Sequence, residues 1–94
     1  MLVMDESEFI ARALRDYLRS RVDQKVIRTM DWDLDAGEPV SAVCEGLAIA
    51  DQYSLSLPPL FVQKIEAIED LRDIEREFIV ERLANLPAWW ELAS

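Results

Sequence analysis

The chain has 94 residues, of which 51% are hydrophobic, and it carries one cysteine, no histidine and a net charge of −9. This length fits a single domain with one modest core, and the hydrophobic content excludes a disordered chain. The absence of histidine removes the usual general base near neutral pH and the commonest metal ligand. We therefore predict one domain spanning 1–94, without catalytic residues, cofactor or metal ion.

The single cysteine, Cys44, provides no disulfide framework, which indicates a reducing compartment. The start of the chain, 1–6, has no basic segment before an apolar run, as a secretory signal would. The longest apolar runs are shorter than the ~20 residues that a membrane span needs. These features predict a cytoplasmic protein that does not bind a membrane.

Only two glycines and four prolines interrupt the chain, which favours helices over a β-sandwich. A first helix is predicted over 5–20, and its apolar residues recur at helical spacing: Phe9, Ile10, Ala13, Leu14, Tyr17 and Leu18. A second stripe consists of Val22, Val26, Ile27, Met30 and Leu34. On one straight helix the two stripes would point more than about 150° apart, so we expect a break near Ser20–Asp23.

The second helix is expected to end before Ala36-Gly37. A third helix should begin at Gly37-Glu38-Pro39, because proline suits a first helical turn. From residue 42 to residue 50 only Glu45 and Gly46 interrupt the apolar side chains, which places this helix at the centre of the domain. Gly46 either lets a neighbouring helix approach closely or has no special role.

The remaining third of the chain continues the helical pattern. Its apolar residues stay in phase within one broad stripe: Leu60, Phe61, Ile65, Ile68, Leu71, Ile74, Phe78, Ile79, Leu83 and Leu86. Ser56, ahead of Pro58-Pro59, is predicted to cap a further helix. Residues 58–86 fit either one long helix or two helices with a break near Leu71–Asp73. A short tail is expected to fold back onto the core through Trp89, Trp90 and Leu92. The fold prediction is an all-α, compact bundle of four to five helices.

The charge is unevenly distributed along the chain. Residues 1–30 contain five acidic and six basic residues, whereas residues 31–94 contain fourteen acidic and four basic residues, a net charge of −10. The second part would repel a nucleic-acid backbone and attract a basic protein. The alternative is that this acidity only aids solubility. We predict a protein partner, and no nucleic acid or small-molecule substrate.

The first candidate binding surface follows the second helical stripe and consists of Asp31, Trp32, Asp33 and Asp35. Trp32 is out of phase with the apolar stripe, so it is either an exposed aromatic anchor for a partner or a cover for a neighbouring helix end. The same segment is not an EF-hand calcium loop, because Ala36 and Ala42 occupy the positions that need glycine and glutamate.

The second candidate surface is an acidic ridge that exists if residues 58–86 form one helix. Its residues recur every three or four positions: Glu66, Asp70, Asp73, Glu77 and Glu81. Like charges at this spacing oppose helix stability by about 0.2–0.5 kcal/mol per pair, which a binding role for a basic partner would explain. The alternative is an ordinary solvated face. We predict partner contacts for the first four of these residues.

Three other features have competing interpretations. Glu66 and Glu69 resemble half of the paired carboxylate motif of all-helical nucleotide pyrophosphatases, but no second pair lies on an earlier helix. The basic stretch 12–28 could touch phosphates, but pairing with the domain's own acids fits better. Cys44, in the apolar third helix, is expected to be buried and unreactive.

One segment resembles a known family. The run Asp35–Pro39, with Ala42, Glu45 and Leu47 after it, resembles the MafI-like immunity proteins of bacterial polymorphic-toxin and contact-dependent inhibition systems. The resemblance covers roughly residues 20–92 and continues through Leu57-Pro58 and the terminal Trp89-Trp90-Glu91-Leu92. One position departs from the family pattern: Cys44 stands where the family usually has glutamate, and Glu45 follows one residue later.

The resemblance implies a cytosolic inhibitor that binds the C-terminal domain of a cognate toxin and blocks it. Because nuclease toxins bind phosphates, they are typically basic, and an acidic helical partner would associate with them quickly. The sequence leaves two alternatives: a small acidic helical adaptor or regulatory subunit of another complex, and a metal-dependent nucleotide hydrolase.

Overall fold

The computed structural model of the chain describes residues 6–69 and 71–89. This part of the chain contains five α-helices and no strand: α1 Glu6–Arg19, α2 Gln24–Asp35, α3 Pro39–Gln52, α4 Pro59–Glu66 and α5 Asp73–Asn85. The all-α prediction is therefore confirmed, with five helices. Of the two alternatives for 58–86, the two-helix one is right, and the break spans residues 67–72.

The central position predicted for α3 is confirmed, because α3 packs against α1, α2 and α5. Its glycine makes this packing possible. A Cβ atom built on Gly46 would lie 2.6 Å from Cδ2 of Leu14 in α1 and 2.9 Å from Cε of Met30 in α2. Both side chains are fully buried. Gly46 thus lets α1 and α2 approach α3 more closely than any other residue would.

The break between α1 and α2 lies at the predicted place although no proline or glycine occurs there. The carbonyl of Leu18 accepts hydrogen bonds from the N–H groups of Arg21 and Val22, at 2.8 Å and 3.1 Å, which ends α1. The side chain of Asp23 then accepts from the N–H of Lys25 at 3.0 Å and caps α2. Local hydrogen bonds therefore make the turn that redirects the second apolar stripe.

The turn between α2 and α3 depends on the backbone of Gly37, whose φ is +74°. The N–H of Glu38 donates to the carbonyl of Asp33 at 2.8 Å, and the N–H of Gly37 donates to the carbonyl of Leu34 at 3.1 Å. This is the Schellman arrangement, in which a left-handed residue ends a helix. It holds the last turn of α2, with Trp32 and Asp33, beside the start of α3.

Replacing Gly37 with alanine should lower the free energy of unfolding by about 1–2 kcal/mol, because an L-residue is strained in the left-handed region. No atom lies within 4 Å of a Cβ at this position, so the loss would come from the backbone alone. Urea unfolding followed by circular dichroism measures it. Gly37→Asn should lose clearly less, because asparagine tolerates this conformation. Equal losses for the two variants would contradict this explanation.

The prediction for the start of α4 is wrong. Ser56 does not cap α4: the residue before this helix is Pro58, whose side chain makes no capping hydrogen bond, and Pro59 opens the helix. The reason is that the fixed φ of proline already suits a first turn. Ser56 is buried instead, and its carbonyl accepts a hydrogen bond from the Tyr17 hydroxyl at 3.0 Å.

Three residues assigned to the apolar stripes are exposed. Phe9 and Leu60 are 63% exposed and Ile74 is 70% exposed. Phe9 lies at the edge of its stripe, and in α5, which the break separates from α4, Ile79 is the one buried residue. Of the predicted tail contacts, those of Trp90 and Leu92 lie outside the described residues.

Candidate protein-binding surfaces

Trp32 lies on the solvent side of α2. The buried residues of this helix, Ile27, Met30 and Leu34, face the core, and Trp32 points almost directly away from them, at about 100° per residue. Its side chain is 63% exposed. Most of this large rigid surface is therefore available to a partner, as an aromatic anchor requires.

The three aspartates around Trp32 do not form one patch. Asp31 faces α1, where its Oδ1 atom lies 3.3 Å from Nη1 of Arg15 and 3.4 Å from Nη2 of Arg19. Asp33 lies about 160° away around the helix, and Asp35 is exposed. The charge of Asp31 is thus matched inside the protein, while Asp33 faces a different neighbour.

Asp33 lies on one wall of a groove that we call the α2–α5 groove. Its walls are α2 and the segment 72–78 at the start of α5, and its floor is α3. The lining residues are Thr29, Asp33, Ser41, Cys44, Glu45, Ala48, Arg72, Ile74, Glu75 and Phe78. Sequence reasoning did not single out Glu45, Ile74 or Glu75 as partner-binding residues, because helical periodicity does not reveal which helices are neighbours.

The groove is electrostatically negative. Burial, reinforced by the negative charge of Glu38, raises the pKa of Asp33. Burial together with the charge of Glu75 raises the pKa of the Cys44 thiol, which is half-buried rather than fully buried as expected. In the described part of the chain, neither Asp33 nor Glu45 has a cation within 4.0 Å. Two partly buried carboxylates therefore lack a counter-charge.

Glu75 differs from these two carboxylates because it is bonded to Arg72. The Arg72 guanidinium donates to Oε2 of Glu75 at 3.0 Å, and the Arg72 backbone N–H donates to Oε1 at 2.9 Å. These hydrogen bonds lower the pKa of Glu75. The pair closes the first turn of α5 and fixes the wall of the groove, in the manner of the glutamate in a capping box.

The predicted acidic ridge is divided by the break in the chain. Glu66 ends α4, Asp70 lies outside the described residues, and Asp73 and Glu77 belong to α5. A shorter acidic stripe remains on α5 and consists of Asp73, Glu77 and Glu81. All three are exposed, and they recur every four residues on one side of the helix. The stripe lies next to Ile74, on the outer wall of the α2–α5 groove.

The basic residues in α5 and at its N-cap do not neutralise this acidic stripe. Arg72 bonds to Glu75, the guanidinium of Arg76 donates to the carbonyl of Ile68 at 2.7 Å, and Arg82 lies 3.5 Å from Asp51. Over residues 6–69 and 71–89, no cation lies within 4.0 Å of a carboxylate of the stripe. The stripe therefore presents uncompensated negative charge to the solvent.

The basic stretch 12–28 pairs with the domain's own acids only in part, through Arg12, Arg15 and Arg19. Arg12 lies 3.3 Å from Glu8, Arg15 lies 3.2 Å from Asp16, and both Arg15 and Arg19 reach Asp31. The Arg21 guanidinium stacks on the Tyr17 ring at 3.8 Å. These intramolecular contacts leave fewer bases free to meet a phosphate backbone.

Two further grooves flank α4 and are lined mainly by apolar residues. One lies between α1 and α4, beside Phe9, Leu60 and Phe61. The other lies between α4 and α5, beside Val62 and Leu83.

Within the described residues, no group of three acidic, cysteine or histidine side chains is placed to hold a metal ion. None of the described helices is long and apolar enough to cross a membrane.

Comparison of the chain with protein-family models, with curated proteins and with solved structures found no match.

Proposed function

We propose that this protein is an immunity protein that binds and neutralises a basic toxin domain. The observation that carries the proposal is the uncompensated acidic stripe on α5, next to a groove with two further unpaired carboxylates. None of these charges pairs with a base in the described part of the chain. Asp73, in the first turn of α5, meets only the helix dipole there. A basic protein surface would supply the missing counter-charges.

The exposed apolar residues beside these charges support a protein partner over a solvated face. Ile74 lies between the stripe and the groove, and Trp32 is exposed on α2, the helix that forms the opposite wall. In specific interfaces the partner buries apolar anchor residues of this kind, and charged residues surround them as a rim. The resemblance of 35–47 to immunity proteins fits the same conclusion, and it names a toxin as the basic partner.

Co-expression with the product of the adjacent upstream gene, which we expect to carry the toxin domain, tests the function. Cells that make this toxin should survive when they also make the wild-type protein, and the two proteins should copurify. Survival without copurification would point to an indirect effect and would contradict direct binding. Failure of the wild-type protein to protect would overturn the proposal, and copurification without protection would favour an adaptor.

Reversing the charges of Asp73 and Glu77 to lysine should slow association with the toxin domain by about tenfold or more at low salt. Exposed rim charges act mainly on the association rate, so dissociation should change little. Surface plasmon resonance at two salt concentrations measures both rates, and high salt should reduce the difference between variant and wild type. The control reverses two exposed acids of α1, Glu6 and Asp16, so that the net charge changes by the same amount. An equal slowing in the control would show that only net charge matters.

A further inference from the structure

We propose that α5 is a latched helix. Two arginine side chains, Arg76 and Arg82, fasten it to the C-terminal ends of α4 and α3. When they release, α5 opens as a unit while α1, α2 and α3 stay packed together. The inference goes beyond the proposed function and does not depend on it, although α5 is the helix that carries the acidic stripe.

The first argument is the small buried face of α5. Ile79 is the one buried residue among the thirteen of this helix, whereas α3 buries six of its fourteen residues. Leu83 and Leu86, at the C-terminal end of α5, add partly buried contacts with the core. A helix of this length is marginal on its own in water. Apolar burial therefore holds α5 more weakly than it holds α3.

The second argument is the pair of arginine contacts that supplement this face. The Arg76 guanidinium donates to the carbonyl of Ile68 at 2.7 Å, just past the C-cap of α4. Nη1 of Arg82 lies 3.5 Å from Oδ2 of Asp51, in the last turn of α3. A helix C-terminus carries a partial negative charge, which favours both cations. The Arg76 bond is short, partly buried and charge-assisted, so it should contribute more than the partly exposed Arg82 pair.

The third argument is the position of the two arginines around α5. At about 100° per residue, Arg76 and Arg82 lie about 60° on either side of Ile79. They therefore flank the one buried residue of the helix. Glu77, in the middle of the acidic stripe, lies about 160° from Ile79 on the outer side. The inward direction of these bases leaves the stripe facing the solvent without a counter-charge.

Opening of the latch would change the acidic stripe itself. Asp73 and Arg76 are three residues apart, a spacing at which opposite charges pair on a helix. While Arg76 bonds to the carbonyl of Ile68, its guanidinium lies more than 4.0 Å from the Asp73 carboxylate. A released Arg76 would be free to neutralise Asp73. A basic partner on the stripe and the closed latch should therefore favour each other.

Native-state hydrogen exchange of the ¹⁵N-labelled protein tests the latch without any partner. Arg76→Met removes the donors and keeps most of the apolar stem, so it should speed the exchange of the Ile79 and Val80 amides at least tenfold. Arg76→Lys keeps a cationic donor and should have a clearly smaller effect. Arg28→Met removes an exposed base of α2 and is the matched control, which should leave these rates unchanged.

A core variant tests whether α5 opens as a unit. Ile27 is fully buried in α2, which packs against α1 and α3. Ile27→Val should speed the exchange of core amides such as those of Leu14 and Leu47 by about threefold or more. It should leave the α5 amides unchanged, because opening of α5 alone does not disturb the packing of Ile27. Equal acceleration of α5 and the core would show that α5 opens only by global unfolding and would overturn the latch. An effect of Arg76→Met no larger than that of Arg28→Met would overturn it as well.

Discussion

Leu14→Ala is expected to lower the free energy of unfolding by about 2–5 kcal/mol, the range for truncation of a fully buried leucine. Leu14 has no exposed surface and contacts α3 where Gly46 lets the two helices approach. The core of a 94-residue chain is small, so this loss is a large share of the total stability. Leu60→Ala is the matched control, because Leu60 is largely exposed and should lose at most about 0.5 kcal/mol.

The same site allows a sharper test through Gly46. A methyl group added by Gly46→Ala would overlap Cδ2 of Leu14, and such overpacking costs about 1–3 kcal/mol. In the Leu14→Ala background the methyl group would fill space that the leucine vacated. The overlap with Cε of Met30, at 2.9 Å, would remain, but this flexible end can move into the vacated space. The second substitution should then cost clearly less than in the wild type, since alanine also favours a helix by about 1 kcal/mol over glycine. Urea unfolding of the four proteins measures this coupling, and additive losses would contradict the packing described for α1 and α3.

Trp32→Ala is expected to weaken toxin binding by about 2 kcal/mol or more, which is roughly a thirtyfold faster dissociation. The physical reason is that an aromatic ring, once buried by a partner, contributes a large apolar area at a small entropic cost. The fold should tolerate the change, because Trp32 faces away from the core of the bundle. Surface plasmon resonance gives the dissociation rate, and urea unfolding checks the stability.

Phe9→Ala is the control for Trp32. Phe9 is an equally exposed aromatic residue on α1, beside the apolar groove next to α4. If the toxin binds the side of the molecule that carries Trp32, the control should leave dissociation unchanged. Loss of binding in Phe9→Ala but not in Trp32→Ala would move the interface to the α1–α4 side and would overturn the surface proposed above.

Much of the fold follows from the sequence, because the deciding signals are local. The phase difference between the two apolar stripes predicts the turn at Ser20–Asp23, and the continuous apolar residues of 42–50 predict a central α3. The break at 67–72 was less determined, since the apolar residues on both sides stay in phase within a broad stripe. Hydrogen bonds close that connection, among them the one from Arg76 to the carbonyl of Ile68.

The candidate surfaces were less predictable than the fold for a physical reason. Asp31, Asp33 and Asp35 are neighbours in the sequence, but a helix turns about 100° per residue and separates their side chains. Conversely, Asp33, Glu45 and Glu75 are far apart in the sequence and line one groove. Their meeting depends on how α2 and α5 pack around α3, which periodicity does not encode.

The shortness of α4 has a consequence for the dynamics of the molecule. An isolated helix of eight residues is not stable in water, and Ile65 is the one residue of α4 that is buried. The persistence of α4 therefore depends on tertiary contacts. We expect α4 to open locally at a lower free energy than global unfolding requires. Because α4 forms a wall of both flanking apolar grooves, each such opening should reshape the two grooves together.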